Sequence, residues 1–260
     1  QVCASAFGIL LENVVVKPID NLTCPNNAAS GGSYASESVC YAVEQCCKTI
    51  NERLEPVRKK MIGVDWPTLI QAAYTANVNL NATYMFSPVA DYKSYKVFGA
   101  TVLEVEVDIL TGEHKILRVD ILEDAGKSLS QFVDIGQVEG AFVMGLGYWT
   151  SEKLVHDPDS GRMLTNRTLE YRVPGAKDIP IDFRTYLLKN ADNPLGILRS
   201  KAVGEPPIVM SNSVMFAIRQ ALRSARKDMK LPDEWLSMDA PFTGENICLS
   251  SGIKAEKYSL

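Results

Sequence analysis

The 260-residue chain predicts an α+β fold in which mixed or antiparallel strands pack with helices. Three features carry that prediction. Two stretches have long helical periodicity, one stretch of strict alternation folds back on itself, and strands and helices follow one another without regular β–α–β succession. No repeat of 20 to 50 residues and no low-complexity linker is visible, so no internal boundary is predicted.

Val2 to Leu10 resembles the last turns of a helix already under way, and with Gln1 in place of an initiator Met this suggests a fragment. Asn13 to Pro18, with three consecutive valines, is expected to be a short strand, and Asn21 to Ser33, rich in Asn, Pro, Gly and Ser, a loop. From Tyr34 to Leu54, Val39, Val43, Cys46, Cys47 and Ile50 recur at helical spacing, so the loop delivers its glycines to a helix N-terminus. Asp65 is placed to cap a further helix that carries Pro67 in its first turn and runs to about Ala76.

Leu103, Val105, Val107 and Ile109 alternate with acidic residues, the chain turns at Leu110 to Glu113, and a second strand resumes at Lys115, which together read as an antiparallel hairpin. Asp134 to Trp149 is helical in period yet carries Gly136, Gly140, Gly145 and Gly147. Each costs about 1 kcal/mol against Ala inside a helix, which implies very close packing. His156 to Asn166 is a hairpin or surface loop, and Ile181 to Leu188 a strand. In the helix from about Ser211 to Asp228, Val214, Met215, Ile218, Ala221, Leu222 and Ala225 form the buried stripe and Ser211 or Ser213 is the expected cap. Arg219, Arg223, Arg226 and Lys227 suit the C-terminal end of its dipole.

Composition narrows the function. Net charge is −4 and pI about 5.4, so no basic field exists to hold a nucleic acid. The longest apolar run, Gly140 to Trp149, is about ten residues, against the roughly 20 that span a bilayer, so no membrane is expected. Six cysteines, Cys46 and Cys47 among them inside a helical pattern, are too sparse for a disulfide scaffold and suit reduced thiols in the cytoplasm. Asn21, Asn81 and Asn166 head three-residue glycosylation sequons that are too short to move that placement. His114 and His156 lie far apart and neither zinc nor iron–sulfur spacing occurs, so no protein-ligated metal is expected.

Three segments could carry chemistry. Ser30, Gly31, Gly32 and Ser33 could present unobstructed amides to an anion at a helix N-terminus; a plain flexible loop with Ser33 as N-cap is the bland alternative. Gln137, between Gly136 and Gly140, could reach a buried cofactor; glycines serving helix packing are the alternative. Glu205, followed by Pro206 and Pro207, is expected on a stiff, extended loop that could aim a general base; a surface Glu in a proline-stiffened loop is the alternative.

Taken in order, Arg53-Leu-Glu-Pro, Ala72-Ala-Tyr-Thr-Ala, Asp134-Ile-Gly-Gln-Val-Glu-Gly-Ala-Phe with Gly145-Leu-Gly, and Ser200-Lys-Ala-Val-Gly-Glu-Pro-Pro make the chain similar, along nearly its whole length, to the xanthine dehydrogenase and aldehyde oxidase family of molybdenum hydroxylases. The resemblance implies that residues 1–260 are the C-terminal portion of a molybdopterin-binding domain, with FAD and [2Fe–2S] clusters in domains outside this chain. It implies that Glu205 is the base that deprotonates a molybdenum-bound hydroxyl, whose oxygen attacks the substrate carbon as hydride passes to sulfur. It further implies that Gln137 hydrogen-bonds near the molybdenum and pterin, and that Ser30 to Ser33 hold the cofactor through backbone amides, with Gly32 nearest the metal. The substrate is then a small aldehyde or N-heterocycle and the full-length protein a homodimer. Met144, where many members have Gln, and Gln131, where Pro is common, depart from the pattern without touching those residues. Gly31-Gly32 and the segment from Pro174 to Phe183, which looks like arthropod aldehyde oxidases, favour an aldehyde oxidase over a xanthine dehydrogenase. A catalytically inactive relative serving as a binding module is a third possibility, opposed by the joint presence of Glu205, Gln137 and Gly31-Gly32.

Overall fold

A computed structural model describes residues 1–24 and 29–254. Its helices are α1 (Val2–Phe7), α2 (Ala35–Lys60), α3 (Trp66–Thr75), α4 (Gln131–Thr150), α5 (Pro206–Met210), α6 (Ser213–Asp228) and α7 (Gly244–Ser251). Its strands are β1 (Gly99–Val107), β2 (His114–Glu123) and β3 (Asp182–Leu187). The α+β class holds, but the chain divides into two compact units where the sequence shows no boundary. One comprises 1–95 with 192–202, the other 96–191 with 203–260. No linker composition marks the division because each unit is assembled from two separated segments of the chain.

In the first unit α2 is the organising helix. It buries Cys47 and Leu54, α3 adds Leu69 and Ala73, α1 adds Val2 and Ala4, and Phe7 meets Trp66 at 5.0 Å between ring centroids. The Asp65 cap is present, its carboxylate accepting from the Thr68 amide at 3.1 Å. The expected strand at Asn13 to Pro18 is absent. Leu11–Asn13 is a 3-10 turn and Val15 and Val16 are exposed, so the valines find no partner strand to override a one-turn local preference.

In the second unit β1 and β2 form the antiparallel hairpin, with a bulge between Glu104 and Val105. β3 pairs with β2 in parallel, Val119 opposite Phe183 and Ile121 opposite Thr185. Parallel pairing requires a crossover, and α4 supplies it, so one β–α–β unit exists inside a fold that lacks the regular alternation. Ile116, Val119 and Ile121 of β2, Val138, Phe142 and Leu146 of α4, and Val214, Ile218 and Leu222 of α6 share one core with Phe242 and Ile247. Phe142 stacks edge-on to Phe183 at 5.5 Å. Helix α7, capped by Thr243 through the Asn246 amide, lacks a long apolar period and was not expected from the sequence.

The cap of the last long helix differs from expectation. Neither serine caps α6: the N-cap is Asn212, while Ser211 donates to the Ile208 carbonyl and Ser213 to the Met210 carbonyl. The basic residues are engaged locally, Arg223 with Asp233, Arg226 with Glu234, and Arg219 over the Trp235 ring at 4.4 Å. Three of the four are thus held by acidic or aromatic neighbours on their own side of the helix. Among the described residues no helix is long and apolar enough to cross a membrane, and no cluster of His, Cys, Asp and Glu could hold a metal ion. None of the six cysteines is in a disulfide.

Candidate functional site

The Ser30–Ser33 loop belongs to the first unit, and Gln137 and Glu205 to the second. In the loop, Gly32 and Ser33 are consecutive residues in the left-handed region, at φ 63° and 54°, and they turn the chain directly into α2. Ser33 is therefore not the helix cap. Tyr34 occupies that position and contributes no side-chain bond, which leaves the first amides of α2 without a side-chain acceptor from the cap. Gly31 is exposed and a Cβ built there meets nothing within 4 Å. An anionic group can therefore approach the loop backbone and helix N-terminus together, which fits the phosphate and oxo groups of molybdopterin. A side chain at Gly32 would be strained by its φ and would press on the Tyr34 ring.

The glycines of α4 separate into two pairs. Gly145 and Gly147 are buried; a methyl group at Gly145 would collide with Ser211 and the Ile208 carbonyl, and one at Gly147 with Glu152 and Pro174. These two are the close-packing glycines that the sequence implied. Gly136 and Gly140 have open space where a Cβ would stand, and they flank Gln137 on an exposed face with Phe132, Met144 and Tyr148. Gln137 lies in the second turn of α4, not at its start. A helix face flattened by glycines beside an amide that both donates and accepts fits the broad, polar-edged pterin of the same cofactor.

Glu205 is not on an extended loop. Its φ and ψ, −90° and −32°, are helical, and it is the N-cap of α5 with Pro206 and Pro207 as the first helical residues. The steric bias of a residue before proline is overridden here because its carbonyl accepts the Ile208 amide at 3.0 Å, closing the first turn. Prolines cost nothing at those positions, where an amide would have no partner within the helix. The rigidity expected of the segment is retained by a different route. The carboxylate is exposed, and among the described residues none hydrogen-bonds to it or to the Gln137 amide. α4 packs on α5 at Gly145, about two turns along α4 from Gln137.

Within the first unit, residues 192–202 are held by side-chain hydrogen bonds. Asn193, 3% exposed, donates through Nδ2 to the Ser200 carbonyl at 3.0 Å, and its Oδ1 accepts from the Leu195 amide. That ring holds Leu198 and Arg199 in the left-handed region, at φ 48° and 68°. Two residues on, the Ala202 amide donates to the Tyr95 hydroxyl at 2.9 Å, and the hydroxyl donates to the Glu37 carboxylate. Burial, then the Glu37 bond, push the Tyr95 hydroxyl pKa up. Neither Asn193 nor Tyr95 stood out in the sequence, since Asn in a Pro-Gly turn and Tyr in a polar loop are ordinary there. A cleft of about 680 Å³ in this unit, lined by Phe7, Arg58, Met61, Trp66 and Leu69, includes none of the sequence-predicted residues.

Residues 1–180 match the family model for the molybdopterin cofactor-binding domain. The chain is 42% identical over 221 residues to an indole-3-acetaldehyde oxidase of Arabidopsis thaliana, covering 85% of this chain and 17% of the relative. It is 40% identical over 260 residues to a xanthine dehydrogenase of Dictyostelium discoideum, covering 95% of this chain and 19% of the relative. The chain thus spans less than a fifth of the relatives it matches. Among solved structures, CO dehydrogenase from Oligotropha carboxidovorans superposes with a TM-score of 0.75 at 18% identity, over 96% of this chain and 33% of that one. Aldehyde oxidoreductase from Desulfovibrio gigas gives 0.69 at 19% identity, over 97% and 27%. These structural likenesses establish the fold.

Proposed function

This chain belongs to the molybdopterin-binding family of aldehyde oxidases and xanthine dehydrogenases, the molybdenum hydroxylases, and on that basis we propose that it forms part of an enzyme that oxidises aldehydes to carboxylic acids with oxygen derived from water. The single observation that carries the proposal is Glu205, an exposed carboxylate set at the N-terminus of α5 and without a hydrogen-bond partner among the described residues. A general base requires reach and fixed orientation before anything else.

Bound molybdopterin would supply a metal centre able to take an electron pair and present an activated oxygen. Glu205 would accept the proton released as the substrate carbon is oxidised. Gln137, with Gly136 and Gly140 leaving room, would donate to and accept from the cofactor's polar edge. The amides of Ser30 to Ser33 would hold its anionic groups, with Gly32 nearest the metal. Electrons would leave towards [2Fe–2S] clusters and FAD in other domains of a full-length homodimer.

An aldehyde is favoured because its carbonyl carbon is already electrophilic and because an aldehyde oxidase stands among the relatives at 42% identity. Purine hydroxylation is the second reading, supported by the xanthine dehydrogenase at 40%. The test is turnover by the complete protein of an aliphatic or aromatic aldehyde against xanthine. Faster aldehyde oxidation is expected; exclusive xanthine turnover would reverse the assignment.

A further inference from the structure

We propose that the cleft between the ends of α1 and α2 and the start of α3 binds a small carboxylic acid with an aromatic body, Arg58 taking the carboxylate and Phe7 with Trp66 the ring. The cleft lies wholly within the first unit, and its volume of about 680 Å³ is in the range that takes small organic ligands. Glu205, Gln137 and Ser30 to Ser33 are not among its lining residues.

Three helix termini build it. α1 stops at Gly8, whose φ of 67° turns the chain and returns the Ile9 amide to the Ala4 carbonyl at 3.0 Å. α2 ends at Lys60 and α3 begins at Trp66, so Met61 to Val64 close one side. The rings of Phe7 and Trp66, 5.0 Å apart between centroids and tilted by 44°, are both half-buried and leave aromatic surface on which a third ring can pack.

The polar side is narrower. Among the described residues, Arg58 is the one charged side chain that lines the cleft. Its Nη2 donates to Asn51 Oδ1 at 3.0 Å, and Asn51 Nδ2 donates to the Ala6 carbonyl at 3.0 Å. The Asn51 amide is thus engaged at both ends and aims the guanidinium, which keeps further N–H donors for a ligand. Glu55 comes no nearer to Nη1 than 3.8 Å, and the two side chains are 48% and 41% exposed, so this ion pair competes weakly. One positive charge on apolar walls matches a monoanion, whereas a phosphate dianion would bring a second charge that nothing lining the cleft offsets. The guanidinium fork fits the two oxygens of a carboxylate.

The test uses the complete, cofactor-loaded enzyme, with phenylacetate as probe and phenylacetamide as its neutral counterpart. Saturation-transfer NMR should give a Kd of about 1 mM or tighter for the acid and at least about tenfold weaker binding for the amide, the scale of a charge-assisted hydrogen bond. Amide exchange should slow in residues 5–9 and 61–66 when phenylacetate is bound. Arg58→Met should weaken binding of the acid by about tenfold or more and leave that of the amide within about threefold. Equal affinity for acid and amide would overturn the proposal, as would parental affinity for the acid in Arg58→Met or slowed exchange confined to other residues. Should Arg58→Met not fold, the acid–amide comparison and the exchange map of the parental enzyme decide between the same outcomes.

Discussion

The indole N–H of Trp149 donates to the Ser211 hydroxyl at 2.9 Å, joining the end of α4 to the residue that follows α5. One turn back along α4, Gly145 lets the helices approach, and Ser211 passes its own hydrogen to the Ile208 carbonyl. Gly145→Ala puts a methyl group into that contact. It should destabilise the protein by about 1–3 kcal/mol, the usual cost of overpacking, despite the better helix propensity of alanine. Denaturant or thermal unfolding checks this; a gain in stability would mean that the contact relaxes freely.

Gly136 and Gly140 make the opposite prediction. With open space around both, Gly136→Ala and Gly140→Ala should each stabilise the apo protein by about 0.5–1 kcal/mol through helix propensity. The same methyl groups stand on the face that Gln137 would offer to the cofactor, so molybdenum content should fall. Metal analysis beside thermal unfolding separates the two effects, and full molybdenum occupancy in both variants would remove this face from the cofactor site.

Glu205→Gln in the complete enzyme should preserve molybdenum content and lower kcat by at least about a hundredfold, the scale of general-base catalysis. Gly32→Val should weaken cofactor loading instead, since Gly32 has φ 63° and its side would press on Tyr34. Molybdenum per protein and single-turnover rates distinguish a loading defect from a chemical one. Unchanged turnover in the first variant would sink the base; full occupancy in the second would restore the plain-loop reading.

What the sequence makes legible depends on where each structural signal resides. Periodicity located α2, α4, α6 and the β1–β2 hairpin, because each buries a regular stripe or face. The parallel partner of β2 was out of reach: pairing between residues 118–123 and 182–187 is a non-local choice made by the shared core. The valines at 14–16 favour a strand, yet Val15 and Val16 stay exposed and no strand forms. The glycines of α4 are unusual for a helix, but sequence alone does not separate the pair that packs from the pair that stays open. Glu205 was located while its backbone was not, because the pre-proline rule states a preference that one hydrogen bond reverses.

Glu123 gives the sharpest pH prediction. It is fully buried at the end of β2, both carboxylate oxygens lack hydrogen-bond partners, and burial, followed by the charges of Asp134 and Asp124, raises its pKa from 4.5 to about 8. A raised carboxylate pKa means that the folded state holds a proton the unfolded chain has released. Its contribution to stability is complete below about pH 4.5, declines as pH rises, and is lost once pH passes the folded value near 8. One pKa unit corresponds to about 1.4 kcal/mol, so the ceiling is several kcal/mol. Glu123→Met keeps the volume, removes two unsatisfied oxygens and abolishes the titration. The Tm advantage of Glu123→Met over the parent should therefore widen steadily from pH 5 to pH 8 and then level off. Melting curves at half-unit intervals decide it: a gap that stays constant across that range would show that Glu123 does not titrate there.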